Sequence, residues 1–440
     1  MTDLMRLPGA RLVLHAVIVV VLYLALMWFV GGADPLTMSN IALAAMYATA
    51  MFGMVILVGL SGQVSLGNGA LMAIGAYTLA LTSLNWQTVP IIGVPMNGWW
   101  AMVFALIGGI VFGLIIGGLG ARLKGPYLAG LTLGIAVGIP AIANRFPDLF
   151  GGETGLLLTV PFPEGGYEPA VDEGAETGTE AVTDGTTEGT TDEALPTEGE
   201  GAGETLAPDD LLTIDDLNAD GTSTDAPTDV ATDVPTDVST DVPVPDVPVD
   251  TLPPSTDQAD PGFLIEYWQA SLAILVACLV GFVALNLVRG RQGSVWRAVR
   301  DDPVAAAVSG ISPAWSKVSA FMISSVFAAL AGGVFAQLLA YVGPGAFPLG
   351  LSLSLLVGVV LGGRSSLVGA IIGAVIIVWL PELVRSAAEG RGWDEQVTNN
   401  MPNLLYGLLV VLVVLIAPGG IVGSIKSLSA KVTKRAGSPG

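Results

Sequence analysis

The chain has one cysteine, Cys278, and one histidine, His15, among its 440 residues. With one of each, neither a disulfide framework nor a His/Cys metal cluster can be built. Cys278 lies inside an apolar run, where a free thiol behaves as a small hydrophobe. None of the five lysines follows a glycine, so a phosphate-binding loop that ends in Gly-Lys is missing. Charge is scarce as well: 12% of residues are charged, against about 25% in a typical soluble domain. Mean hydropathy is +0.69, and a chain this apolar is an integral membrane protein. Of the ionisable side chains, only His15 falls well inside an apolar run, while Glu266 and Glu382 fall near run ends. A proton-coupled carrier depends on buried carboxylates or histidines, so this chain lacks that relay and any driving energy comes from elsewhere. One turn into the first run, His15 reads as interfacial rather than catalytic.

Negative charge is abundant but local. Residues 164–260 hold 27 of the 38 acidic residues and no lysine or arginine, whereas 17 basic residues face 11 acidic ones in the remainder. The net charge of −21 therefore belongs to one insert. Rich in Asp, Glu, Thr, Pro and Gly and nearly free of aromatics, the insert cannot bury enough apolar surface to offset chain entropy and is expected to be disordered. From Pro227 to Val242 it runs PTDVATDVPTDVSTDV, a repeat suited to an extended, stiff chain. Its aspartates lack the glycine framework of calcium-binding repeats, which favours a solvated spacer over an ion site.

A crossing needs about 20 apolar residues, and ten runs qualify: 12–31, 39–60, 69–84, 99–120, 126–143, 264–288, 318–341, 349–363, 367–384 and 401–417. The third and eighth are short enough to be re-entrant or broken. The first follows Arg6 and Arg11 and exceeds a signal-peptide core of roughly 7 to 15 residues, so it reads as a retained span. Lysine and arginine collect on the cytoplasmic side, and an N-terminus inside puts 14 of the 17 basic residues there. The expected fold is an all-α polytopic membrane protein of about ten spans, with both termini cytoplasmic. Residues 1–163 carry spans one to five, 164–262 the acidic extracytoplasmic insert, 263–425 spans six to ten, and 426–440 a basic tail. Glycines recur every fourth residue at Gly109, Gly113 and Gly117, at Gly130, Gly134 and Gly138, and at Gly369 and Gly373. That spacing lets helix backbones approach closely in lipid.

Two polar segments interrupt the apolar pattern. Gly59 to Tyr77, GLSGQVSLGNGALMAIGAY, combines backbone freedom from glycine with the neutral hydrogen-bonding groups of Gln63, Ser65 and Asn68. Non-helical backbone at membrane depth is tolerated where it lines a cavity, so these residues are candidates for a solute path, with a cytoplasmic turn as the alternative. Gln337 is a further path candidate in the seventh run. The second segment, Arg289 to Lys317, holds Arg300-Asp301-Asp302-Pro303, a helix start with acidic residues at the dipole and proline in the first turn. Val304 to Ser309 then forms a smooth small-residue helix that ends at Gly310, a surface able to dock in a groove on a partner.

The whole membrane portion resembles the permease subunits of branched-chain amino-acid ABC importers, specifically the LivM-type partner of a two-permease pair. The resemblance is carried by Gly62-Gln63-Val64-Ser65-Leu66-Gly67 with Gly75-Ala76-Tyr77, and by Gly151-Gly152-Glu153-Thr154-Gly155-Leu156. It continues in Arg297-Ala298-Val299-Arg300-Asp301-Asp302-Pro303 through Ala305-Ala306 and Gly310 to Lys317, and in Val360 to Gly369, VLGGRSSLVG. Ala305-Ala306-x-x-x-Gly310 is similar to the ATPase-coupling motif of ABC importers, although Val304 stands where the general motif carries Glu. The resemblance implies a transport subunit of the inner membrane that is not itself an enzyme. It implies as partners the lipid bilayer, a second homologous permease, two cytoplasmic ABC ATPases and an extracytoplasmic solute-binding protein, and no nucleic acid. No cofactor is expected on this chain; ATP is used by the partner subunits. Arg297, Arg300, Asp301, Asp302, Ala305, Ala306 and Gly310 are the implied coupling residues. Related permeases serve branched-chain amino acids, other amino acids or urea, and an ATPase-independent channel or carrier is the contrasting class.

Overall fold

The computed structural model describes residues 8–86, 98–123, 126–158 and 261–390, a few positions between 88 and 93, and scattered helical positions from 401 to 424. The helical unit takes in residues 1–167 and 258–440. The second unit, 168–257, lies outside the described residues. So do the disorder expected of the acidic insert, most of the tenth expected span and the basic tail.

Among the described residues twelve helices are numbered in order: α1 Pro8–Val30, α2 Pro35–Met54, α3 Asn68–Asn85, α4 Gly98–Ala121, α5 Pro126–Arg145, α6 Pro147–Phe150, α7 Pro261–Arg289, α8 Arg291–Asp301, α9 Pro303–Val308, α10 Pro313–Leu339, α11 Leu349–Gly362 and α12 Leu367–Glu389. A π-helical turn, Val55–Leu60, prolongs α2. Seven helices open on proline, whose missing N–H is one that a first turn leaves unpaired anyway. Asp34 caps α2 by accepting from the Thr37 hydroxyl at 2.8 Å and the Thr37 amide at 3.1 Å, and these bonds hold its carboxyl below the usual range. A two-residue strand pair, β1 Leu156–Leu157 against β2 Tyr341–Val342, is the one β-ladder among the described residues.

Eight segments of the described residues are long and apolar enough to cross a membrane, and they coincide with the expected spans one, two and four to nine. The third expected span is α3, 18 residues and so about 27 Å long. Its wall is protein: most residues from Asn68 to Thr82 are buried, which explains its lower apolarity. At the centre, α10 packs on α4, α3 and α2, while α2 also packs on α7 and α12. On the outside, α1 rests on α7 and leaves Leu12, Val13, Val17, Ile18, Val21 and Leu24 exposed, as a lipid-facing helix does.

Small residues set the close contacts. A methyl added at Gly113 would lie 2.8 Å from Ser325 Cβ and 3.0 Å from Met322 Cα, and one at Gly109 would lie 2.8 Å from Ala329 Cβ. The α4 glycine series is therefore the seat of α10. Gly369 and Gly373 press likewise on Gly362 and Gly358, joining α12 to α11. The α5 series differs: Gly130, Gly134 and Gly138 have no neighbour within 4 Å of an added methyl among the described residues.

Candidate functional site

The polar segment 289–317 contains one helix more than its sequence suggested, because α8 precedes the short α9. α8 is amphipathic. Its buried side carries Gly293, Trp296 and Val299, and Trp296 has no exposed surface. The Trp296 Nε1–H and Gln292 Nε2–H both donate to Ser319 Oγ of α10, at 3.1 and 3.2 Å. Arg297 turns back to donate to the Val288 carbonyl at 3.3 Å. Just upstream, His15 is buried between α1 and α7, with Nδ1 3.0 Å from Asn286 Oδ1 and Nε2 3.1 Å from Arg289 Nη1. A neutral ring protonated at Nδ1 satisfies both contacts, so His15 is a structural bridge between helices.

Both ends of α9 are closed by its own sequence. Asp302 Oδ1 accepts from the amides of Val304 and Ala305 at 2.9 and 3.0 Å. At the far end, Gly310 sits at φ +82°, and the Gly310 and Ile311 amides donate to the Ala307 and Ala306 carbonyls, both at 3.0 Å. This is the paired closure that a left-handed glycine permits. Ala305 is exposed, whereas Ala306 is turned inward and seats the helix. The outer surface is apolar: Val304 is 71% exposed, Val308 86% and the nearby Trp315 63%.

In the segment after the π-turn, Ser61, Gln63 and Ser65 are buried while Gly62 and Val64 are exposed. Gln63 Nε2 donates to Ser61 Oγ at 2.6 Å and to the Lys317 carbonyl at 3.2 Å. Ser65 Oγ accepts from the Gly67 amide at 3.3 Å. Thr132 of α5 and Ser352 of α11 accept from the amides of Leu66 at 3.0 Å and Gly69 at 2.9 Å. Asn68 is fully buried, and neither of its amide atoms has a hydrogen-bond partner. Buried amides are nearly always paired, so Asn68 stands out as a group with bonding capacity in reserve.

The two polar segments meet. A cavity of about 470 Å³ is lined by Ser61, Gly62, Gln63 and Val64, by Gly120 of α4 and Leu123 just after it, by Leu128 and Ala129 of α5, and by Val299, Arg300, Pro303 and Lys317. Its charged lining residues are both cationic. Arg300 Nη1 donates to the Gly59 carbonyl at 2.6 Å, and its Nε and Nη2 reach Asp301 Oδ1 at 2.9 and 2.8 Å. Of the four path candidates only Gln63 lines this cavity; Ser65 and Asn68 follow it in the chain. Gln337 is buried elsewhere, its Nε2 donating to the Gly98 carbonyl at 3.1 Å and its own carbonyl facing Gln269 Nε2 at 3.4 Å. Sequence reasoning missed Thr132, Ser319 and Ser352, small hydroxyls whose partners are remote in the chain, and Ser61, whose partner is Gln63.

These features define a polytopic membrane protein whose polar segment is wired to an exposed helix at one end of the bundle, with an apolar outer surface and no described group of three or more His, Cys, Asp or Glu that could hold a metal. The family model for the permease component of branched-chain amino acid transport systems matches residues 36–159 and 243–417. The chain belongs to this family, and it is a multi-pass membrane transport subunit rather than an enzyme. It is 27% identical over 411 residues to the high-affinity branched-chain amino acid transport system permease protein LivM of Salmonella typhimurium, covering 93% of this chain and 74% of that one. The LivM of Escherichia coli K12 is also 27% identical, over 92% of this chain and 74% of its own length. No solved structure matches. Residues 160–242, most of the acidic insert, fall outside the family match.

Proposed function

We propose that the chain forms half of an inward path for branched-chain amino acids. It pairs with a second homologous permease, receives solute from an extracytoplasmic binding protein and draws on ATP hydrolysed by two cytoplasmic ATPases. The observation that carries this reading is the cavity in which Arg300, two residues before the α9 cap, and Gln63, in the polar segment after the π-turn, share a wall. In this reading α8 and α9 face the cytoplasm, both termini lie on that side, and the insert 164–262 lies on the opposite one. Val304, Ala305 and Val308 dock into the ATPase, while Asp302 and Gly310 keep their helix in shape. Gln63, Ser65 and Asn68 offer neutral polar groups to a passing zwitterion without a charge that would trap it, and the LivM relatives supply the substrate class.

The test is uptake of labelled leucine, isoleucine and valine into liposomes holding the complete assembly, with urea and other amino acids as competitors. Uptake should require internal ATP, both ATPases and the binding protein. Uptake by the purified chain alone would overturn the reading in favour of an autonomous channel or carrier. Val304→Asp with Val308→Asp should abolish ATPase co-purification while membrane insertion is retained; undiminished co-purification would remove α9 from the contact.

A further inference from the structure

We propose that Arg300 is the positioning residue that ties α9 to the mouth of the cavity, acting as a latch on the end of the π-turn. The inference rests on the coupling role of α9 and names the link through which that role is exerted. A helix leaves its last carbonyls without intrahelical partners, and the Gly59 carbonyl lies in the last π-helical turn, Val55–Leu60. The Arg300 guanidinium supplies the partner at 2.6 Å, and a cation there complements the negative end of the helix dipole.

Two further contacts make the link stiff. Gly62 takes φ +70°, and a methyl on it would lie 2.7 Å from Arg300 Cγ. The chain therefore folds directly over the arginine stem, one residue before Gln63. On the other side, Asp301 Oδ1 holds Nε and Nη2 of the same guanidinium, and the next residue, Asp302, caps the first turn of α9. One side chain thus reaches the π-turn and Asp301 with its guanidinium and the glycine bend with its stem. Serving Gly59 and Asp301 together takes the rigid fork of arginine, which the single ammonium of lysine does not reproduce. A displacement of α9 pulls on the Gly59 carbonyl and moves Gly62 and Gln63 at the cavity wall. π-turns are frequent at functional sites, and here the turn supplies the carbonyl that is gripped.

The test uses the complete assembly in liposomes with Arg300→Gln, Arg300→Lys and Asp301→Asn, reading solute carried per ATP hydrolysed. A charge-assisted hydrogen bond at a moving joint predicts a fall of at least about tenfold in that ratio for Arg300→Gln. Arg300→Lys should recover part of it, and Asp301→Asn should show a smaller loss. Amide exchange at Gly62 and Gln63 should quicken in Arg300→Gln. An unchanged ratio would overturn the latch, as would loss of ATPase co-purification in Arg300→Gln, which would place the side chain in the ATPase contact instead. Transport by the wild-type chain without ATPases would remove the coupling reading itself, a result distinct from either.

Discussion

The glycine series of α4 and α5 have the same spacing and opposite surroundings. Gly109, Gly113 and Gly117 each meet α10 at contact distance, so that α4 and α10 approach backbone to backbone. In α5, Gly130 and Gly134 are exposed, while the opposite side of the helix holds Leu128, Thr132, Ala136 and Ala143, all buried. The first series is used up within the chain; the second is left open by it. Four-residue glycine spacing therefore shows that a helix can be approached closely, and the three-dimensional neighbour decides whether it is.

Substitutions can break this contrast. Gly113→Leu should have the largest effect, about 3 kcal/mol of destabilisation from overpacking against Met322 and Ser325, read as an early unfolding transition in detergent; a stability equal to wild type would show that α4 and α10 can part freely. Next comes Thr132→Val on the closed side of α5. It removes the acceptor for the Leu66 amide and should cost about 1–3 kcal/mol, with faster amide exchange at Leu66 as its signature. Gly109→Ala should cost about 1–2 kcal/mol, because the added methyl would lie 2.8 Å from Ala329 Cβ and 2.9 Å from Val326 Cα, and one of the two helices must shift. Gly134→Leu should stay within about 0.5 kcal/mol of wild type in the isolated chain; a loss comparable to that of Gly113→Leu would mean that the α5 series is packed after all.

Much of the frame was legible in the sequence because long apolar runs are its direct cause. The helices begin within about one turn of the expected spans, and Asp302 and Gly310 bound α9 as their side-chain chemistry predicts. The membrane class was readable for the same reason, and the family from the four sequence blocks that carry the resemblance. What stayed hidden is local strain and long-range pairing. Nothing in Val55 to Leu60, VILVGL, marks a π-turn, and α8 was concealed by its polarity although Gly293, Trp296 and Val299 recur at helical spacing. The Arg300–Gly59 bond joins residues 241 positions apart, a distance over which no sequence pattern gives register. Gln337 was grouped with the path on polarity alone, and its partners Gly98 and Gln269 could be known only from the packing.

The closure of α9 at both ends has a kinetic consequence. A six-residue helix standing free in water would seldom form, since nucleation costs more than so few turns return. Here Asp302 and Gly310 order it during folding of the chain itself. A protein that receives this helix meets a rigid peg, with little conformational entropy left to lose on association. Because the peg displays valine, with Trp315 of α10 close by, rather than charge, its capture should depend weakly on ionic strength, and its release should be governed by how fast the groove lets go.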